Sequence, residues 1–328
     1  MLNTGVRRLV ITIIRRLGMA ALTLLLVSAV VFSAVNWLPG DFATAILGQS
    51  ATPATIAALR ENLGLNEAAS IRYLHWVSHA VTGDMGVSLS SIGQADPVTV
   101  WQLIRPRLVN TLFLAFFAAI VAVPLAVGLG VATVLARKSP LDKSINVIAL
   151  TLISIPEFLV GYLFILAFST WWKLFPSLAD VRPDTGLMER IEMCALPIMT
   201  LASVTIAHMM RMTRAAILSV LASPYIEAAH LKGLSNTRIV WKHALPNAWA
   251  PIVTVITFNL AYMTVGVVVV EAVFVYPGIG QLMVDAVSTR DIPVVQACAL
   301  IFSGVFVILN LVADIVAIAT NPRLLHPK

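Results

Sequence analysis

Charge is what this chain has least of. Asp, Glu, Lys and Arg together make up 12% of its 328 residues, about half the share of an ordinary soluble domain. Cysteine is nearly absent too. Cys194 and Cys298 fall at or within apolar stretches, where a thiol behaves as a small buried hydrophobe, so neither a disulfide scaffold nor a zinc pair is expected. Intrinsic disorder requires a polar composition that this chain lacks. No Gly-Lys dipeptide occurs anywhere, which excludes the phosphate-cradling loop Gly-x-x-x-x-Gly-Lys-Ser/Thr. His75 and His79 stand four apart, a metal-ligand spacing, but no third ligand is placed and the glutamate of the zinc-protease helix is missing. Met209, Met210 and Met212 beside His208 read as packing residues and not as a copper site. No cofactor and no metal are expected, and the chain carries no ATPase chemistry of its own.

What is present instead is apolar length. Hydrophobic residues make up 59% of the chain, and six nearly uncharged stretches of 20 residues or more can be marked off: 18–38, 108–136, 145–171, 191–210, 246–270 and 292–320. Each suffices to cross a hydrocarbon core of ~30 Å as a helix. The expected fold is therefore an all-α polytopic membrane protein of six transmembrane helices. A cleaved signal peptide is the rival reading of the first stretch; its length, and the absence of a small-x-small site after Leu38-Pro39-Gly40-Asp41, favour a retained span.

The net charge of +6 reads as a topology signal in lipid, not as a nucleic-acid footprint. Arg7, Arg8, Arg15 and Arg16 precede the first span, and placing them inside puts 14 of the 22 Lys and Arg residues on the cytoplasmic side, as the positive-inside rule requires. Both termini are then cytoplasmic. The expected organisation is 1–38 for the N-terminus and first span, 39–107 for a helical outer (periplasmic) domain, 108–320 for the membrane core with a cytoplasmic loop at 211–246, and 321–328 for the tail.

The outer segment is patterned. Thr52-Pro53 predicts a helix to about Leu63 stopped by Gly64, a second helix is expected from Glu67 to Val81 with Tyr73, Trp76 and Val77 on one side, and Asp96-Pro97 predicts a cap ahead of the second span. Such a segment serves either as an amphipathic lid on the membrane interface or as a docking surface for a soluble partner.

The loop between the fourth and fifth spans is the most informative. Ser223 is placed to cap a helix starting at Pro224, Glu227 lies early in it, and Gly233 permits a left-handed stop; Ser235 then starts a second helix to about Leu245. Two helices should meet at Gly233 in an exposed bend.

At these residues the sequence resembles the permease subunits of binding-protein-dependent ABC importers, whose signature runs Glu-Ala-Ala, three residues, Gly, nine residues, Ile, one residue, Leu-Pro. Glu227, Ala228, Ala229, Gly233, Leu245 and Pro246 match at that spacing, while His243 stands at the isoleucine position. Further motifs are similar to the dipeptide/oligopeptide branch: Leu38-Pro39-Gly40-Asp41, Arg60 to Gly64, Arg72-Tyr73 with Trp76, and Gly83-Asp84-Met85-Gly86. Glu271 with Tyr276-Pro277-Gly278-Ile279-Gly280, Arg290 to Gln296, and Asn321-Pro322-Arg323, where an aspartate is more usual, extend the likeness over nearly the whole chain.

The resemblance implies a type I ABC importer permease fold in the bacterial inner membrane, importing dipeptides, oligopeptides or a related solute by alternating access. It implies as partners a second homologous permease, two ATPase subunits that bind the ATP and magnesium, and a periplasmic or lipid-anchored substrate-binding protein. The signature loop is then a coupling helix seated on an ATPase subunit, where small Ala228 and Ala229 allow close approach and Glu227 meets a basic group. A secondary transporter driven by an ion gradient is the alternative, but no internal repeat of the kind such proteins carry is visible. An intramembrane enzyme would need paired groups at one depth, and none are paired here.

Ionisable residues inside spans are expensive and mark cavities or partners. Glu157 follows Pro156 and, on a straight helix from Ile145, lies roughly 18 Å along the axis, a candidate for the translocation pathway. Glu271 and the turn Pro277-Gly278 are candidates for an outer-face boundary. Asp314 is expected to pair with cytoplasmic basic residues, Asn259 and Asn310 to bond between helices, and Gly128-Leu129-Gly130 to serve close helix packing.

Overall fold

The computed structural model describes residues 4–36, 52–62, 66–92 and 96–320. Leu38-Pro39-Gly40-Asp41, Gly64 and Asn321-Pro322-Arg323 lie outside the described residues. Regular structure within them is helical apart from one isolated antiparallel bridge between Val87 and Thr99. The elements are α1 Thr4–Asn36, α2 Pro53–Asn62, α3 Ala69–Thr82, α4 Val100–Leu135, α5 Pro140–Ser154, α6 Glu157–Phe164 continuing as a π-helix through Trp171, α7 Leu187–Met193, α8 Ala195–Leu221, α9 Pro224–Leu231, α10 Asn236–Ile239 continuing as a π-turn through Ala244, α11 Leu245–Phe274, α12 Ile279–Ser288 and α13 Ile292–Thr320.

Among the described residues five helices are long and apolar enough to cross a membrane, and the pair α5 and α6 makes a sixth if counted as one span. Large side chains such as Phe116 and Ile120 on α4 stay exposed, a pattern that would aggregate in water but suits a lipid-facing wall. The expected all-α membrane fold is found, with one of the six expected apolar stretches altered. The third span is not continuous: α5 and α6 meet at 110°. Pro156 has no N–H to donate and pushes Ile155 into extended geometry (φ −90°, ψ 132°), so the helix stops at Ser154 and restarts at Glu157. The depth assigned to Glu157 on a straight helix therefore does not hold.

Two other boundaries differ. The apolar stretch 191–210 is only part of a longer helix, since α8 runs to Leu221. Arg214 in its last part lies 2.8 Å from the buried Asp142 of α5. The cap ahead of α4 is Thr99 and not Asp96: the Thr99 N–H donates to Gln102 Oε1 at 2.9 Å and the Gln102 N–H returns to Thr99 Oγ1 at 3.3 Å, the reciprocal arrangement of a capping box.

The chain divides into two compact units, one of Met1–Ala20, Leu112–Tyr276 and Val305–Lys328, the other of Ala21–Thr111 and Pro277–Gly304. In the first, α8 packs against α5, α6 and α11. Gly130 explains one close approach. A β-carbon there would meet the Thr213 methyl at 2.8 Å and the Met210 carbonyl at 3.2 Å, whereas Gly128 has open space, so of the two expected packing glycines Gly130 is the one that packs. Met209 and Met210 sit in the core beside Ala126, Ala149 and Ala207. Arg16 and Asp314 pair at 2.6 Å, as expected for Asp314.

In the second unit, Val100, Ile104, Ile279, Leu282, Val294 and Cys298 form a buried cluster. The side chains of Tyr73 and Trp76 on α3 meet Phe32 of α1 at ring-centroid distances of 5.4 and 6.0 Å, and the Tyr73 hydroxyl lies 2.8 Å from Ser28 Oγ. At the other end, the buried Asp291 carboxylate accepts from the Ser88 hydroxyl and from the N–H groups of Leu89 at 3.0 Å and Ser90 at 3.1 Å. That contact ties residues 202 positions apart, and no local sequence signal announces it.

Candidate functional site

The elbow after α8 is built by hydrogen bonds that the sequence reading placed only in part. Helix α9 ends in a paired motif: the Gly233 N–H donates to His230 O at 2.9 Å and the Leu234 N–H to Ala229 O at 3.3 Å. Gly233 sits at φ 77°, the left-handed region that a side chain disfavours. Leu234 folds back over Ile226, Ala229 and Ile239, which form a small buried cluster of their own.

The caps differ from expectation. Ser223 and Ser235 occupy N-cap positions but neither side chain accepts a capping bond. Ser223 Oγ instead donates to Val220 O at 2.5 Å; Pro224 at the first helical position leaves one donor fewer to satisfy. Nor does the second helix stop at Leu245. It continues through a π-turn, in which the Leu245 N–H reaches five residues back to Val240 O, into α11. Pro246 has no N–H to return to Lys242, and the wider turn absorbs that missing bond. The His243 carbonyl accepts from Asn247 Nδ2 at 2.7 Å and from the Tyr225 hydroxyl at 3.3 Å, pinning α9 to the start of α11.

The signature residues thus divide by exposure. Glu227, Ala228 and Gly233 are exposed, Pro246 is exposed beside them in sequence, and Ala229 and Leu245 are buried. Ala229 holds the elbow together from within while Ala228 faces out, so the two alanines do different jobs. Around them Tyr225, Leu231 and Trp241 are exposed, Leu231 at 85%. Downstream, Val240, Ala244, Leu245 and Ala248 pack with Ile217 of α8 and Val131 and Val134 of α4.

The second feature is a cavity of about 440 Å³ among α6, α8 and α11. Its wall includes Glu157, Thr205, His208, Met212, Phe258, Asn259, Tyr262 and Gly266. Glu157 stands in the first turn of α6, where the positive end of the helix dipole favours an anion. Asn259 Nδ2 bonds Val255 O of its own helix at 2.8 Å and reaches Met212 Sδ across to α8 at 3.8 Å. Asn310, expected to bond between helices, donates to Phe306 O within α13.

The expected outer-face turn falls in two places. Glu271 is fully buried near the end of α11, its carbonyl accepting from the Tyr276 N–H at 2.9 Å. Tyr276 is buried as well and lies 3.3 Å from Arg190 Nη2, whose guanidinium stacks 4.0 Å from the Phe113 ring. Burial pushes the Tyr276 phenol above its ordinary value and the neighbouring Cys194 adds to this, against the opposing pull of Arg190. Pro277 and Gly278 belong to the second unit: the Pro277 carbonyl accepts from Asn110 Nδ2 at 2.8 Å, and Gly278 is the N-cap of α12.

Comparison with known proteins agrees with this architecture. Residues 122–326 match the family of binding-protein-dependent transport system inner membrane components, and residues 9–115 match the N-terminal region of such membrane components. Three relatives cover almost the full length. The probable peptide ABC transporter permease protein y4tP of Sinorhizobium fredii is 34% identical over 95% of this chain and 98% of its own. The glutathione transport system permease protein GsiC of Salmonella typhimurium is 36% identical over 92% and 94%. The dipeptide transport system permease protein DppB of Escherichia coli K12 is 32% identical over 96% and 99%. With two family matches that between them reach from residue 9 to residue 326, and with apolar helices to match, this chain belongs to the family of inner membrane permease components of binding-protein-dependent transport systems.

Proposed function

We propose that the chain is the permease half of an ATP-driven importer of short peptides, and that α9 with Gly233 is the element through which a separate ATPase subunit drives it. The observation that carries this reading is the elbow. It presents Glu227 and Ala228 outward on a short helix whose end is fixed by the left-handed Gly233, and its inward side is continuous with the packing of α4, α8 and α11. A helix that is exposed on one side and clamped to long helices on the other converts a push from a partner into a movement of those helices.

The remaining partners follow from the division of labour. This chain lacks the phosphate-binding Gly-Lys loop, so the ATP and magnesium belong to two partner ATPase subunits. A second, homologous permease supplies the other half of the path, and a periplasmic or lipid-anchored binding protein delivers the solute. Peptides are favoured because the relatives named for peptide, dipeptide and glutathione transport cover almost all of the chain. The termini and the elbow lie in the cytoplasm in this reading, residues 39–107 on the outer side, and Glu157 on the route of the solute.

The decisive experiment is reconstitution of the full assembly in proteoliposomes with ATP inside and the binding protein outside. ATP-dependent uptake of a dipeptide that stops with Glu227→Lys, while the variant still inserts in the membrane, supports the elbow assignment. Uptake unaffected by that variant, or uptake by this chain alone on an ion gradient, removes it.

A further inference from the structure

We propose that the cavity among α6, α8 and α11 is a subsite for the protonated amine of the passing solute, with the Glu157 carboxylate as its counter-charge. The inference rests on the peptide-import reading and names what part of the peptide this chain handles itself.

Glu157 is the one acid on the cavity wall, and neither Lys nor Arg lines it. Among the described residues nothing donates a hydrogen bond or forms an ion pair with its carboxylate, in contrast to Asp142, Asp291 and Asp314, each of which is matched. The protein has nonetheless made room for it. A β-carbon on Gly266 would stand 2.7 Å from both carboxylate oxygens, so glycine is what lets the acid lie against α11. One helical turn apart on that same helix, Phe258 and Tyr262 also line the cavity, with ring centroids 6.4 Å apart. A carboxylate in a cavity that aromatic rings also line is a chemistry that holds an ammonium group. The volume of about 440 Å³ suits a small solute and exceeds what a single cation needs. A charged amine crossing an apolar channel loses its hydration, and a fixed opposite charge on the route offsets that loss. The carboxylate end of a peptide meets no Lys or Arg on this wall, whose one basic side chain is His208, so the subsite favours the amine terminus.

The test uses the intact importer in nanodiscs, without the binding protein, so that receptor selectivity does not intervene. Val265 lies on the cavity wall and is exposed, while the native Cys194 and Cys298 are fully buried, so a Val265→Cys variant gives this chain one accessible thiol, whose maleimide labelling, read on this subunit by mass, reports occupancy. Dialanine should slow labelling, N-acetyl-dialanine should not, and protection should vanish with Glu157→Gln but return with Glu157→Asp. Equal protection by both compounds, protection that survives Glu157→Gln, or no protection by dialanine overturns the subsite. ATP-dependent dialanine uptake by the same importer in proteoliposomes, with its binding protein supplied outside, separates the two readings: protection without uptake removes peptide import and keeps the amine site, and uptake without protection does the reverse.

Discussion

The carboxylate of Glu157 lies directly against the backbone of Gly266, so closely that the smallest side chain at that position would stand 2.7 Å from both of its oxygens. Replacing Gly266 with Ala should therefore push the acid aside into the cavity at little cost in stability, because what must move is the end of a flexible side chain. The measurements are thermal unfolding of the solubilised chain as Gly266→Ala and dialanine protection of the Val265→Cys thiol in that background. Unfolding should change little while protection weakens; a large drop in unfolding temperature would mean that the acid cannot move aside and that Gly266 serves plain helix packing.

Gly233 offers a second check. A β-branched residue at φ 77° costs roughly 1–2 kcal/mol locally, and Gly233→Val should uncouple ATP hydrolysis from uptake while leaving insertion intact. Asn tolerates this backbone region better than Val, so Gly233→Asn should retain much of the uptake. Loss of uptake that is the same in both variants would point away from backbone geometry as the reason for glycine.

Asp142 and Arg214 form a buried pair at 2.8 Å, and Asp142 also accepts from the Lys138 N–H at 3.0 Å and from Asn146 Nδ2 at 2.7 Å. Removing only the arginine leaves a buried carboxylate, a loss of about 3–5 kcal/mol. Arg214→Met should lower the unfolding temperature strongly, and Asp142→Leu added to it should recover part of the loss. Absence of any recovery would show that the Lys138 and Asn146 contacts dominate.

Asp291 holds the backbone of Leu89 and Ser90. Hydrogen bonds to a charged group are worth about 1.5–3 kcal/mol each, so Asp291→Ala should open this turn. Hydrogen exchange at residues 88–92 reads it directly. Faster exchange there, with α8 unchanged, is expected; unchanged exchange at Leu89 and Ser90 would show that the turn is held by its own local bonds, such as Ser91 Oγ to Ser88 O.

Apolar length, the arginine-rich flank and the signature from Glu227 to Pro246 are properties of the chain read in order, and the membrane class, the approximate spans and the elbow at Gly233 follow from them because helix formation, burial in lipid and left-handed turns are local requirements. The end of α5 was half legible: Pro156 announced a disturbance, but whether a proline kinks a helix or breaks it depends on what the two halves pack against, and here they turn through 110°. The pairing of Arg214 on α8 with Asp142, 72 residues earlier, had no local signal. The capping of residues 89 and 90 by Asp291, and the space that Gly266 leaves for Glu157, likewise join residues about 200 and 109 positions apart. Sequence by itself marked the apolar stretches long enough to cross a membrane, since apolar length is read residue by residue against a uniform solvent. Only the tertiary structure decided which buried charge has a partner and which is left facing a cavity, because a counter-charge is a matter of proximity in space.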